Sequence, residues 1–183
     1  MPLIYMIRHG EAAAGWGSHA DPGLSERGRA QADAVAHEIN RRAPHTLSIL
    51  SSPLLRCRET AAPLAQLWNS DPHIEPSVAE IPSPAGDTRE RRVWLSSIAA
   101  GTWAAVPDLA AWRLSVVEAL LKLQHDTVIF SHYIAINVAM GRAMSDERIV
   151  CFRPDNGSIT VFESAGSRLV LIEKGREADT VVN

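Results

Sequence analysis

Histidine and arginine side chains stand at the ends of apolar runs in this chain, a placement suited to holding an oxyanion. Residues 3–7, Leu-Ile-Tyr-Met-Ile, form a short apolar run of the kind a doubly buried strand uses. The run stops at Arg8-His9-Gly10-Glu11. In open α/β sheets ligands bind just beyond the carboxyl ends of the strands, so a cation, an imidazole and a hinge residue are delivered to that edge. Residues 46–50 are a second buried-strand candidate, ended by Ser51-Ser52-Pro53. Ser52 as a cap and Pro53 at the first helical position predict a helix start, with Arg56 one turn inside. The free amides and the positive end of the macrodipole make a helix N-terminus an anion site. A guanidinium there adds a bidentate fork for phosphate oxygens. Phosphoryl transfer asks for stabilised oxygens, an in-line nucleophile and a proton for the leaving group. A neutral imidazole is a competent nucleophile near neutral pH, because its unperturbed pKa lies close by.

The elements that must position these groups can be read along the chain. Residues 12–23, with three glycines and Asp21-Pro22-Gly23, are a loop. Ser25 caps a helix with Glu26 in its first turn, and Gly28, Ala32, Val35 and Ile39 recur on one face of it. Pro63 predicts a kink or break near Ala62 in the helix that carries Arg56. Residues 73–81 read as a third extended segment, interrupted by Pro76 and stopped by Pro82. Helices are expected over 89–100 and 108–124. The second starts at Pro107 and carries the stripe Leu109, Trp112, Val116, Leu120 and Leu123. Trp94, Trp103 and Trp112 are read as core packing in preference to a substrate mouth. Residues 126–132 are a fourth strand with a polar end at Ser131-His132, followed by a short helix over 134–140. Residues 158–163 and 168–173 should form a hairpin after a turn at Asn156-Gly157, and residues beyond 174 read as a polar, frayed tail.

The whole chain bounds the options. Its 183 residues suit one domain, and 46% hydrophobic with 21% charged residues is ordinary globular composition. A net charge of −3 leaves no basic excess for a general nucleic-acid or membrane binder, while a local cationic pocket is still allowed. The N-terminus enters a strand at once without the features of a signal peptide, and no apolar stretch approaches a membrane span. Cys57 and Cys151 fit no metal or redox spacing and are read as reduced structural thiols, with a cytoplasmic location as the default. A metal centre on His9, Glu80 and His132 is disfavoured, since two neighbouring arginines would repel a divalent cation and the spacing is not that of a zinc motif. The remaining histidines, His19, His37, His45, His73 and His125, are expected at the surface or in loops, and Glu11 and Ser18 either at the pocket rim or as ordinary loop polarity.

Arg8-His9-Gly10-Glu11 closely resembles the signature of the histidine phosphatase superfamily, the phosphoglycerate mutase-like proteins. Residues 21–32 resemble its second motif, in which a leucine, a hydroxyl, a glycine and a Gln-Ala pair open the first helix. Residues 51–60 resemble the stretch that carries its second phosphate-binding arginine. Val78-Ala79-Glu80-Ile81 resembles the segment with an acidic proton donor, and His132 falls at the strand-to-helix junction where relatives carry a second histidine. The resemblance covers residues 3–163, in family order. It implies a three-layer α/β sandwich with a mostly parallel central sheet, a C-terminal antiparallel hairpin and a small helical cap. The expected domain is 1–174, with a cap insert at about 81–125 and a polar tail at 175–183.

The roles it implies are His9 as nucleophile, Glu80 as the acid, and Arg8, Arg56, His132 and the Tyr133 amide as phosphate ligands, with no metal or other cofactor. Two departures stand out. Ile81-Pro82-Ser83-Pro84-Ala85-Gly86 replaces the Trp-Glu-Gly continuation of the mutases, and Tyr133 stands where relatives usually carry glycine. The expected function is a metal-independent phosphomonoester hydrolase working through a phosphohistidine on His9. The alternatives are a phosphoglycerate mutase-type phosphotransferase and a noncatalytic phospholigand-binding domain. Expected partners are a small phosphorylated substrate or a phosphohistidine protein, and the oligomeric state is unreadable.

Overall fold

The structure is a computed structural model that describes residues 1–13, 21–84 and 88–178. Six strands form one sheet: β1 (Leu3–Arg8), β2 (Ser48–Ser51), β3 (His73–Ile74), β4 (Thr127–Ser131), β5 (Ile159–Ala165) and β6 (Arg168–Glu173). Their spatial order is β3-β2-β4-β1-β5-β6. The first four run parallel, and β5 and β6 add an antiparallel hairpin beside β1. Arg8 is level with Ser131, and Ser51 with Phe130. The chain therefore leaves three adjacent strands at the same edge, and the next residues out are His9, Ser52 and His132.

Strand alternation sends successive side chains to opposite faces. Tyr5 and Ile7 of β1, with Val128 and Phe130 of β4, face the helices α1 (Glu26–Arg42) and α2 (Leu55–Trp68), which contribute Val35, Ile39, Ala61 and Leu64. Ile4, Met6 and Ile129 face the other way. They meet Val116 and Leu120 of α4 (Ala110–Leu121) and Ile134 and Val138 of α5 (Tyr133–Met144). The result is the expected three-layer α/β sandwich. Each buried Ile, Leu or Phe is worth roughly 1.5–3 kcal/mol of transfer free energy, and both faces of the central strands are filled this way. The remaining helix, α3 (Thr88–Ile98), packs Trp94, Leu95 and Ile98 against the second of these layers.

Several local expectations change. The segment 73–81 is extended only over His73–Ile74. Pro76 then opens a short 3-10 turn, Pro76–Val78, capped by the Glu75 carboxylate on Ser77 N–H. Helix α2 starts at Leu55, not at Pro53; the Ser52 hydroxyl accepts from His132 at 2.7 Å and, among the described residues, reaches the main chain only through the Leu54 N–H, at 3.3 Å. Asp21 caps it instead, accepting the Leu55 N–H at 2.9 Å. Pro63 does not end the helix, which runs on to Trp68. The proline removes one amide donor, while Ala61 and Leu64 beside it stay fully buried and hold the turn against the sheet. Helix α5 runs on to Met144, past the expected end, as a nearly all-buried element. The tail is not frayed as far as residue 178: Asp155 N–H donates to Arg176 O at 2.8 Å, and Ala178 N–H to Arg153 O at 2.9 Å. Residues 179–183, Ser18 and His19 lie outside the described residues.

The hairpin expectation holds, with Gly166 at φ 66° in its turn. His37, His45, His73 and His125 are exposed. Trp103 is buried in the core, with Trp94 and Trp112 half-buried against it. Among the described residues no helix is long and apolar enough to cross a membrane.

Candidate active site

The loop after β1 is held from both sides. His9 N–H donates to Ser131 O at 3.0 Å, and Gly10 N–H donates to the Thr60 hydroxyl at 3.0 Å. A Cβ on Gly10 would lie 2.5 Å from the Gly28 carbonyl oxygen, and one on Gly28 would lie 2.1 Å from the Glu11 carbonyl oxygen. Only a pair of glycines lets the first turn of α1 press against this loop so closely. From the far side, Asn156 Nδ2 donates to His9 O at 2.8 Å.

His9 Nδ1 lies 2.7 Å from the Gly10 carbonyl oxygen, which can only accept. The ring proton is therefore on Nδ1, and Nε2 keeps its lone pair. Arg56 Nε–H donates to that nitrogen at 3.3 Å, and the same guanidinium reaches His132 Nδ1 through Nη2 at 3.3 Å. Since the arginine can only donate, the His132 proton is on Nε2 and is given to Ser52 Oγ at 2.7 Å. The two imidazole centroids are 5.2 Å apart, edge to face. Burial pushes the pKa of both histidines well below the ordinary value; the Arg56 and then the Arg8 guanidinium add to this for His9, and for His132 the neighbouring His9, were it to charge, and then Arg56. Both rings are thereby held neutral and nucleophilic.

Arg8 enters from β1 and donates through Nη1 to Pro154 O at 2.8 Å, with its guanidinium 5.1 Å from the Tyr133 ring centroid. Its Nε is buried without a hydrogen-bond partner. Glu80 is 5% exposed. Its Oε1 accepts from Ile81 N–H at 3.0 Å and from Ile134 N–H, in the first turn of α5, at 3.2 Å. Its Oε2 is buried with no partner. Burial raises the Glu80 pKa, against the lowering by the Ile81 amide and by Arg56, so the carboxyl holds its proton more tightly than an exposed glutamate does. Tyr133 opens α5 with helical geometry; the non-glycine residues with positive φ among those described are Asn69 and Ser145. Tyrosine is therefore unstrained where relatives carry glycine, and as the first helical residue its amide has no intrahelical acceptor.

All six residues singled out in the sequence thus converge. Arg8, His9, Glu80 and Tyr133 line one cavity of about 740 Å³, while Arg56 contacts His9 at Nε2 and His132 lies beyond it with its ring edge to face with His9. Glu11 is turned away from the cavity, accepting from the Ser25 hydroxyl at 2.7 Å and pairing with Arg27. The sequence did not reveal four supporting groups. Ser52 is the polar residue leaving β2 at the same edge as His9 and His132, a position that could have marked it. Asn156, Thr60 and Arg91, whose Nη2 holds the Ile81 carbonyl at 3.0 Å beside Glu80, left no comparable mark. Among the described residues no group of three or more His, Cys, Asp and Glu side chains could hold a metal ion.

The sequence pattern of the histidine phosphatase superfamily (branch 1) matches residues 4–175. Two curated relatives are shorter matches. A PE-PGRS family protein of Mycobacterium tuberculosis is 34% identical over 84 residues, 43% of this chain and 14% of that protein. An uncharacterized protein of Picosynechococcus sp. is 35% identical over 107 residues, 57% of this chain and 60% of that protein. The chain thus spans less than two thirds of either relative. Among solved structures, the phosphoserine phosphatase of Entamoeba histolytica in complex with 3-phosphoglyceric acid superposes with a TM-score of 0.74 at 23% identity, covering 98% of each chain. The matched span, nearly the whole chain, and the shared fold establish that this protein belongs to the histidine phosphatase superfamily, branch 1.

Proposed function

We propose that the protein is a metal-independent phosphomonoester hydrolase that works through a phosphohistidine on His9. The observation that carries this reading is the Arg56 guanidinium bridging His9 Nε2 and His132 Nδ1 in a buried cluster where His9 Nε2 bears no proton. In the first step His9 Nε2 attacks phosphorus in line, and the bond from phosphorus to the ester oxygen breaks. Glu80, whose pKa burial raises, gives its proton to the departing alkoxide. In the second step water attacks the phosphohistidine, the Glu80 carboxylate takes the water's proton, and the N–P bond breaks to release phosphate. Arg8 and Arg56, with the Tyr133 amide, meet the equatorial oxygens as charge-assisted or neutral donors, and His132 joins them by exchanging Ser52 Oγ for a phosphate oxygen at its Nε2–H. The 3.3 Å bond from Arg56 to Nε2 is at the long end of the hydrogen-bond range, so exchanging it for a phosphate oxygen costs little.

The cavity volume of about 740 Å³, that of a whole small-molecule site, favours a small phosphorylated molecule over a phosphohistidine on a protein surface. On the same reading residues 1–174 form one domain and 81–125 its cap, with α3 supplying the cavity wall through Leu95 and Ser96. The test is a panel of phosphomonoesters assayed for inorganic phosphate with and without a chelator. Phosphate release that the chelator leaves unchanged is expected. Isomer formation without phosphate release would instead point to a mutase, and vanadate binding without any turnover to a noncatalytic binding domain.

A further inference from the structure

The cavity continues well past the histidine. Arg8, His9 and Glu80 lie at its near end, Leu95, Ala99, Val150 and Phe152 contribute apolar wall, and Arg148, Arg153 and Glu177 add charge. About 740 Å³ is the size of a whole small-molecule site, far more than a phosphate group fills. The three added charges differ in what they already hold. Arg148 clamps the Asp146 carboxylate through Nε and Nη2 at 2.5–3.1 Å. Glu177 is also engaged, its Oε1 by Arg153 N–H at 3.1 Å and its Oε2 by the Lys174 ammonium at 2.5 Å. The Arg153 side chain makes no ion pair or hydrogen bond among the described residues.

The Arg153 backbone, in contrast, is fixed twice, through that amide and through its carbonyl, which accepts from Ala178 N–H at 2.9 Å. The next carbonyl along, that of Pro154, is the one that holds Arg8 Nη1 at 2.8 Å. The loop that carries Arg153 therefore also fixes the guanidinium of Arg8, which enters from β1. Tyr133 is coupled to both: its ring centroid lies 5.1 Å from the Arg8 guanidinium, and burial raises its phenol pKa while the Arg8 and Arg153 charges act to lower it.

We propose that Arg153 is the specificity-determining cation of a second anion subsite, and that the substrate is a phosphomonoester whose alcohol carries an apolar body ending in an anionic group. This rests on the phosphomonoesterase reading above. The Arg153 guanidinium is exposed and makes no ion pair among the described residues; the Glu177 carboxylate lies in its field but is held by Lys174, which leaves the guanidinium able to make a bidentate bond with a carboxylate or a second phosphate. The apolar wall accepts the body between the two ends.

The full chain is titrated calorimetrically with benzylphosphonate and its 4-carboxy and 4-aminomethyl derivatives, and phenyl phosphate and 4-carboxyphenyl phosphate are compared as substrates. The 4-carboxy compound is expected to bind about tenfold tighter than benzylphosphonate, and its ester to show a similar advantage in kcat/KM. Both ratios fall to about one in Arg153→Ala and Arg153→Gln, and Arg153→Glu shifts the preference to the 4-aminomethyl compound. Equal binding of the three, tightest binding of the ammonium compound, failure of all to bind, or an anion preference that survives Arg153→Ala would overturn the subsite. An Arg153-dependent anion preference without turnover of either ester would leave the subsite standing and remove the hydrolase reading. Turnover of both esters at equal kcat/KM would do the reverse.

Discussion

At the residue scale the site is an arrangement of protonation states. His9 and His132 are each fixed in one tautomer by a partner that can act in one direction only, the Gly10 carbonyl for the first and the Arg56 guanidinium for the second. Glu80 is the opposite case, a carboxyl whose buried Oε2 has no donor and whose pKa is raised by burial. A raised folded-state pKa means that the carboxyl contributes stability below its unfolded pKa, and that this is lost as the pH rises through the folded value. Glu80→Gln removes the ionisation while keeping an acceptor for the Ile81 and Ile134 amides. It should therefore raise the melting temperature at pH 8 relative to wild type and give little or no gain at pH 4. In the same protein kcat should fall by roughly 10²- to 10⁴-fold, since the proton donor is lost. Melting curves at the two pH values and steady-state rates check both halves; unchanged turnover would exclude Glu80 as the acid.

At the element scale the site depends on three strands ending level and one helix docking without side chains in the way. Gly28→Ala places a Cβ 2.1 Å from a backbone oxygen that cannot swing aside. We expect a loss of about 1–3 kcal/mol in chemical denaturation, the usual cost of overpacking. Activity should fall further than the unfolded fraction accounts for, because the displaced loop carries the Gly10 carbonyl that sets the His9 tautomer. Activity per folded molecule equal to wild type would contradict this coupling.

Much of this scale was legible in advance. The apolar runs ending in Arg8-His9 and Ser131-His132, and the Ser25 cap of α1, are local signals, and they sit where the sequence placed them. What could not be read depends on contacts between distant segments. Ser52 looks like a helix cap, but its hydroxyl is shared between the Leu54 N–H and His132, 80 positions away. Asp21 then becomes the cap from an adjoining loop. Residues 174–178 look like a polar tail because their order comes from main-chain bonds to residues 153–155, which leave no periodicity in composition.

For the whole molecule, two neutral histidines buried beside cations make folding sensitive to acid. Their folded pKa values are depressed, so the stability they allow is present above the unfolded value near 6.5 and is lost as the pH falls toward the folded values. Each histidine contributes up to about 1.4 kcal/mol per pH unit in that window. Glu80 acts in the opposite sense over part of it, because the folded form takes up its proton first. Denaturant midpoints should therefore be lower at pH 5.5 than at pH 7.5, and the fall should be steeper in Glu80→Gln. A midpoint that rises on acidification would mean that the imidazoles are not buried neutral.

The covalent chemistry assigned to His9 can be observed directly by rapidly quenching the enzyme with a radiolabelled phosphomonoester and following the label on the protein. The expected result is an acid-labile, base-stable phosphoenzyme that forms before steady-state release of phosphate and is absent in His9→Ala. Steady hydrolysis by wild type with no trapped label at any quench time, or a label that persists in His9→Ala, would contradict the account.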